Sequence, residues 1–265
     1  MNRLDKELIL RNLVETRTQA QEMVKAGLVF VNGKVQTKAS LSVDDADEII
    51  IKENDLFKYV SRGGFKLEKA LKVFNVDVKN KVVMDIGSST GGFTDCCLQN
   101  GAKKVVCIDV GTDVMHPKLR LDERVELHEN TNIKQVDNSL FTDVEIVVVD
   151  VSFISLERIV ERVASSGNKI DMICLIKPQF ECGKDIATKY GGIIKSKTVH
   201  KDVLNKVLKF FLKHNFACLG LDFSPIKGGD GNIEYIAHFN NFLSACGKVE
   251  TEKVVTTAFN NKFGK

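Results

Sequence analysis

The run Val82-Val83-Met84-Asp85-Ile86-Gly87-Ser88-Ser89-Thr90-Gly91-Gly92-Phe93 constrains the fold of this chain more than any other. Residues of strand character close on a glycine-rich turn, and a helical pattern follows at once through Leu98. In an open parallel sheet such a turn lies at the carboxyl end of its strand, where the ligand crevice is found. The same pattern repeats downstream. Strands are predicted over 82–86, 104–109, 125–128, 145–149 and 172–176, with helices over 65–74, 91–99, 155–164 and 197–214. Two last strands, 216–223 and 233–239, are separated only by the turn Gly228-Gly229-Asp230-Gly231 and are expected to pair antiparallel. The fold class is α/β, a doubly wound and mostly parallel sheet.

Residues 1–52 read as a separate module. Leu4, Leu8, Leu10 and Leu13 have helical spacing over 3–13, and Thr16 or Thr18 can cap a second helix that runs to Ala26 and stops at Gly27. Asn32-Gly33 between alternating apolar residues predicts a hairpin, and a further strand is predicted over 48–51. Glu53 and the residues after it, to position 60, read as a linker, leaving 61–265 for the sheet domain.

Charge is distributed unevenly although the net value is only +3. Positions 58–81 carry seven Lys or Arg against two acids, and 177–213 carry nine against three, so basic stretches flank the expected crevice. That pattern suits a polyanionic partner. Seven cysteines without a Cys-x-x-Cys pair argue against a disulfide framework and against a metal site. No apolar run reaches the roughly 18 residues that a membrane span needs, and the first residues do not form a signal peptide, so a cytoplasmic protein is expected.

Two cofactor classes fit a crevice of this kind. A dinucleotide needs Gly-x-Gly-x-x-Gly, whereas the order here is Gly87-Ser88-Ser89-Thr90-Gly91-Gly92. Asp85 would also set a carboxylate against a pyrophosphate. S-adenosyl-L-methionine carries an amino group and a sulfonium, which an acid favours. Asp109, 22 residues past Gly87, is placed to accept hydrogen bonds from ribose hydroxyls, and Thr131 and Asn132 are candidates for the adenine pocket. The expected cofactor contacts are therefore Asp85, Gly87, Ser88, Ser89, Gly91, Gly92, Phe93, Asp109, Thr131 and Asn132.

The strand ends that would face an acceptor are Asp150-Val151-Ser152-Phe153 and Lys177-Pro178-Gln179-Phe180-Glu181. Neither the Asn/Asp-Pro-Pro-aromatic signature of base-nitrogen methylases nor the Pro-Cys nucleophile of cytosine-carbon methylases is present. An acid and a lysine stand there instead, with Lys66 and Glu234 as further candidates.

Val60-Ser61-Arg62-Gly63-Gly64-Phe65-Lys66, the glycine turn, Asp150-Val151-Ser152-Phe153, Lys177-Pro178-Gln179-Phe180-Glu181 and Gly231-Asn232-Ile233-Glu234 together resemble the haemolysin A (TlyA) family. The resemblance covers nearly the whole chain. It implies a class I (Rossmann-like) S-adenosylmethionine-dependent methyltransferase domain similar to the FtsJ or RrmJ enzymes. It also implies an alpha-L RNA-binding domain at 1–52, with Arg3, Arg11, Arg17, Lys25, Lys34 and Arg62 as RNA contacts. The implied activity is 2′-O-methylation of a cytidine ribose in ribosomal RNA. The Lys-Asp-Lys-Glu tetrad of the FtsJ-like group falls on Lys66, Asp150, Lys177 and Glu234, and no metal is implied. Within the family a short N-terminus goes with large-subunit RNA, which is the expectation here.

The chain departs from the family in one place: some members carry Arg-x-Trp before Val-Ser-Arg, and this one has Phe57-Lys58-Tyr59. Two rival readings are a membrane-lysing protein, which would need a spanning or strongly apolar-faced helix, and an RNA-binding factor without catalysis, which leaves the tetrad unexplained.

Overall fold

The computed structural model describes residues 1–52, 57–242 and 249–263. The chain divides into two compact units, Met1–Lys58 and Tyr59–Lys265. Residues 53–56, half of the segment read as a linker, lie outside the described residues. Tyr59 and Val60 belong to the second unit. Tyr59 is buried in its core against Phe65, with ring centroids 5.3 Å apart, and the Val60 N–H donates to Asp95 Oδ2 at 2.8 Å.

The first unit runs β1 (Asn2–Arg3), α1 (Leu4–Leu10), α2 (Arg17–Lys25), β2 (Val29–Val31), β3 (Lys34–Gln36), β4 (Ser42–Val43) and β5 (Ile49–Ile51). α1 ends three residues before the periodicity suggests, because Asn12 turns left-handed at φ +55°. Thr16 begins α2 through a reciprocal capping box with Gln19. Asn32 and Gly33 both have positive φ, +48° and +73°, which a type I′ hairpin requires. The sheet order is β3-β2-β5, and β1 pairs with β4, a pairing too short to leave a periodic signal. Leu4 and Leu8 from α1, Ala20 and Val24 from α2, and Val29, Val31 and Val43 form its core.

The second unit begins with α3 (Gly63–Phe74) and continues β6 (Val82–Ile86), α4 (Gly92–Gln99), β7 (Lys104–Ile108), α5 (Pro117–Arg120), β8 (Val125–His128), β9 (Ile146–Val149), α6 (Leu156–Ala164) and β10 (Asp171–Ile176). It closes with α7 (Pro178–Glu181), α8 (Lys184–Lys189), α9 (Lys197–Lys213), β11 (Ala217–Phe223), β12 (Tyr235–Asn240) and α10 (Thr251–Asn260). The seven strands are ordered β11-β12-β10-β9-β6-β7-β8, with β12 antiparallel to both of its neighbours. α5, α7 and α8 have six residues or fewer and escape a periodicity argument.

Both faces of the sheet are covered, so its central strands are largely apolar, with Asp85 of β6 the buried exception. Val83, Val105 and Val148 face one layer with Leu67, Ala70 and Cys96, while Met84, Val106 and Val147 face the other with Ile159, Leu204 and Ala258. The chain leaves β6 for β7 and β8 on one side and returns to β9 on the other, so the topological switch lies between β6 and β9. Gly87 closes one of those strands and Asp150 the other. Gly87 has φ +84°, and a Cβ there would lie 2.7 Å from the Asp150 carbonyl oxygen, so only glycine lets the two strand ends approach.

Candidate active site at the carboxyl ends of the sheet

Four charged residues far apart in the chain meet above this switch point. Lys66 comes from the second turn of α3, Asp150 follows β9, Lys177 follows β10 and Glu234 immediately precedes β12. Because β12 is antiparallel, its beginning lies beside the end of β10: Tyr235 pairs with Ile176. That register sets Glu234 next to Lys177.

The cluster is organised as two pairs joined through Asp150. Lys177 Nζ is 2.6 Å from Asp150 Oδ1 and donates to Ser152 Oγ at 3.0 Å. Lys66 Nζ donates to Glu234 Oε2 at 2.7 Å and lies 3.9 Å from Asp150 Oδ2. Lys66, Lys177 and Glu234 are 8%, 9% and 2% exposed, a degree of burial that charged residues tolerate only when paired. Two cations face two carboxylates, so the cluster is formally neutral.

Ser152, Gln179 and Glu181 extend the site beyond the residues singled out from the sequence. Gln179 Nε2 reaches Glu234 Oε1 at 3.4 Å. Glu181 accepts from Ser155 Oγ at 2.9 Å and from the Leu156 N–H at 2.8 Å, which ties the loop after Lys177 to the helix after Asp150. Burial pushes the Glu181 carboxyl above its ordinary range. The signal for these residues is adjacency to the two motifs; none has a spacing of its own. The wall opposite is the turn Ile226–Gly229, whose Gly228 stands so close to Glu234 that a Cβ would fall 2.4 Å from Oε1.

The tetrad opens onto a cavity of about 290 Å³ lined by Lys66, Asp150, Lys177, Ser88, Phe93 and Arg62 among others. A second cavity of about 500 Å³ adjoins it and shares Gly87, Ser89, Asp150 and Ser152. Asp109, Thr131, Asn132 and Ile133 lie at its far side. Asp109 already accepts from the N–H groups of Ser89 and Gly111, each at 2.7 Å, and still has lone pairs for a ligand hydroxyl.

Of the expected cofactor contacts, Gly87, Ser88, Ser89, Gly92, Phe93, Asp109, Thr131 and Asn132 line one cavity or both. Asp85 and Gly91 line neither. A Cβ on Gly91 would meet Leu119 Cδ1 at 2.2 Å, so that glycine serves packing under the turn. Asp85 is fully buried behind the turn and accepts from Thr94 Oγ1 at 2.6 Å, while its Oδ1 has no hydrogen-bond partner among the described residues. Burial, with the Asp150 and Asp109 charges adding to it, pushes the Asp85 carboxyl up to about 7.

The expected RNA contacts divide as well. Arg11 spends its donors inside the first unit, on Glu7 Oε1 at 2.8 Å and on the carbonyls of Asp44, Asp45 and Asp47, so it braces that unit instead of facing outward. Arg3 and Arg17 both bind the buried Asp5. Lys25 and Lys34 are exposed, and Arg62 stands at the mouth of the tetrad cavity. Among the described residues no cluster of side chains could hold a metal ion, and no helix is long and apolar enough to cross a membrane.

Comparison with known proteins places both units. Residues 59–241 match the FtsJ-like methyltransferase family, and residues 2–49 match the S4 domain. The chain is 42% identical over 240 residues to Hemolysin A of Brachyspira hyodysenteriae, covering 89% of this chain and 99% of that protein. It is 34% identical over 235 residues to the 16S/23S rRNA (cytidine-2′-O)-methyltransferase TlyA of Mycobacterium tuberculosis, covering 88% and 87%. A solved structure of a hemolysin candidate from Streptococcus thermophilus superposes with a TM-score of 0.75 at 42% identity, covering 98% of this chain and 96% of that one. With a family match over residues 59–241 and an S4 match over 2–49, the chain belongs to the FtsJ-like methyltransferase family.

Proposed function

We propose that this protein transfers a methyl group from S-adenosyl-L-methionine to the 2′-hydroxyl of a cytidine ribose in ribosomal RNA. Large-subunit RNA is the favoured substrate and small-subunit RNA the second to test. The observation that carries the reading is the convergence of Lys66, Asp150 and Lys177 on the wall of one cavity, with Glu234 buried behind them and paired to Lys66.

The two cavities fit the cofactor by the chemistry of their walls. Ser88 Oγ is buried, lines the tetrad cavity and has no partner among the described residues, so it is left for a polar ligand group. Asp109 offers unused lone pairs where a ribose diol would lie, and Ile133, Ile154 and Ile159 give the apolar surface an adenine ring needs. When bound, S-adenosyl-L-methionine supplies an electrophilic methyl group on a sulfonium.

The chain's own residues handle the acceptor. A ribose hydroxyl is a weak nucleophile, so a neighbouring group must take its proton as it attacks. Lys177 is the candidate for that base or for orienting the hydroxyl, held on line by Asp150 and Ser152. Lys66 forms the other wall, backed by Glu234, and the two position the ribose. Holding oxygen and methyl carbon in line accounts for much of the rate in such a transfer. Lys177→Ala is expected to abolish methylation of ribosomal RNA, read by mass mapping, while calorimetric binding of S-adenosyl-L-methionine is retained; unchanged methylation would defeat the assignment. Dye release from liposomes is the corresponding check on the membrane-lysing reading, and none is expected.

A further inference from the structure

The first unit contains an acid that the RNA-binding reading does not use. Asp5 lies in the first turn of α1 with its side chain wholly buried. Arg3 grips it with two donors, Nε to Oδ1 and Nη2 to Oδ2, both at 3.0 Å. Arg17, from the first turn of α2, donates Nε to Oδ2 at 3.0 Å, and Gln21 Nε2 donates to the same oxygen at 3.0 Å. These donors, Arg3 foremost, hold the carboxyl well below the usual range, so it is ionised at any pH near neutrality.

One buried carboxylate thus fixes two guanidinium groups, one from the residue that precedes α1 and one from the first turn of α2. Both hold the same Oδ2, so the groups lie no further apart than two hydrogen bonds end to end. Each guanidinium has five N–H donors, and Asp5 takes two from Arg3 and one from Arg17. The remaining donors lie on side chains that are 44% and 51% exposed. Arg11 shows the contrasting arrangement, with its donors consumed by Glu7 and three backbone carbonyls.

We infer that Asp5 is a positioning residue for RNA binding: it preorders Arg3 and Arg17 as a two-arginine clamp for the phosphate backbone. An arginine side chain loses rotamer entropy when it is fixed, and a clamp already fixed in the free protein does not lose it again on binding. Planar guanidinium forks held at one spacing match phosphate oxygens in a way that free surface cations do not. The inference rests on the reading of this unit as RNA-binding.

Removing the acid separates positioning from simple charge. Asp5→Asn makes the protein more positive by one, so charge alone demands tighter binding to RNA. Positioning demands the reverse. With the full-length protein and purified large-subunit ribosomal RNA, the Asn variant is expected to bind about five- to tenfold more weakly, and the slope of log affinity against log salt to fall by about one. Unchanged or tighter binding by a variant whose thermal melt is intact overturns the inference. If the Asn variant does not fold, single Arg3→Ala and Arg17→Ala variants decide. Each is expected to weaken binding at least fivefold, while Arg11→Ala leaves the affinity of the folded fraction unchanged; equal losses at all three overturn the inference. Failure of the unaltered protein to bind this RNA would count against the RNA-binding reading itself, an outcome distinct from both.

Discussion

Each unit of this protein sets a pair of cations against a buried carboxylate, Glu234 in one and Asp5 in the other, and the two pairs differ in kind. In the methyltransferase unit the cations are Lys66 and Lys177, themselves 8% and 9% exposed. In the S4 unit they are Arg3 and Arg17, with about half of each side chain exposed and only the acid beneath them buried. Lysine can give up a proton when its surroundings demand it, whereas arginine keeps its charge and offers a rigid fork. A site that must move a proton therefore encloses lysines, and one that must hold a phosphate presents arginines. Four charges meet in the first cluster and three in the second, and the cations are enclosed in one and half exposed in the other.

The sharpest way to break this comparison is to exchange the cations. Lys177→Arg keeps the positive charge beside Asp150 but removes the only form that can accept a proton. Methyl transfer is expected to fall by about 10²–10⁴-fold, as for loss of a general base, in a single-turnover assay with cofactor binding preserved. Activity within tenfold of the unaltered enzyme would show that charge alone suffices there.

Next in size is a pH effect that sets one buried acid against the other. Asp5 has donors on both oxygens, whereas Asp85 is bonded by Thr94 and its Oδ1 has no partner among the described residues. Because the folded-state value for Asp85 is raised to about 7, the stability that its neutral form contributes is complete below about pH 4. It is lost as pH rises from there through about 7, and the loss is on the order of a few kcal/mol. Denaturant midpoints of the methyltransferase unit should therefore fall across that window, and Asp85→Asn should flatten the profile. Asp5 has the opposite sign, since its depressed value gives stability above about pH 4 that is lost as the pH drops below it. A profile for Asp85→Asn that parallels the unaltered protein would rule out this account.

Two smaller effects sharpen the arginine side. Arg11→Ala removes bonds to Glu7 and three carbonyls and should cost the S4 unit about 2 kcal/mol, visible in its urea midpoint. Arg3→Lys retains a point charge and loses the fork, so RNA affinity should drop only about twofold to fivefold in a titration at fixed salt. A loss as large as that of Arg3→Ala would mean that geometry contributes everything and charge nothing.

The sequence carried the sheet because its strands are buried on both faces and read as unbroken β-branched runs, such as Ile146–Val149. Asp150 and Lys177 are legible as strand-end residues, but their grouping with Lys66 and Glu234 as a tetrad comes from resemblance: no spacing links the four, and the register of Tyr235 against Ile176 that sets Glu234 beside Lys177 is a property of the folded sheet. Ser152 and Glu181 have no signal of their own, because their importance lies in what they touch. Position in the motif points Asp85 and Gly91 at the cofactor, yet Asp85 bonds to Thr94 and Gly91 packs against Met115 and Leu119 beneath the turn. Arg11 shows the same limit, since a basic residue on a predicted helix gives no sign that four acceptors of its own chain surround it.

The reversed direction of β12 has a further result for how the enzyme is made. Glu234 enters the cluster from the part of the chain synthesised late, after the glycine turn, Asp109, Asp150 and Lys177 have all left the ribosome. A chain truncated before this strand is expected to leave Lys66 without its carboxylate partner.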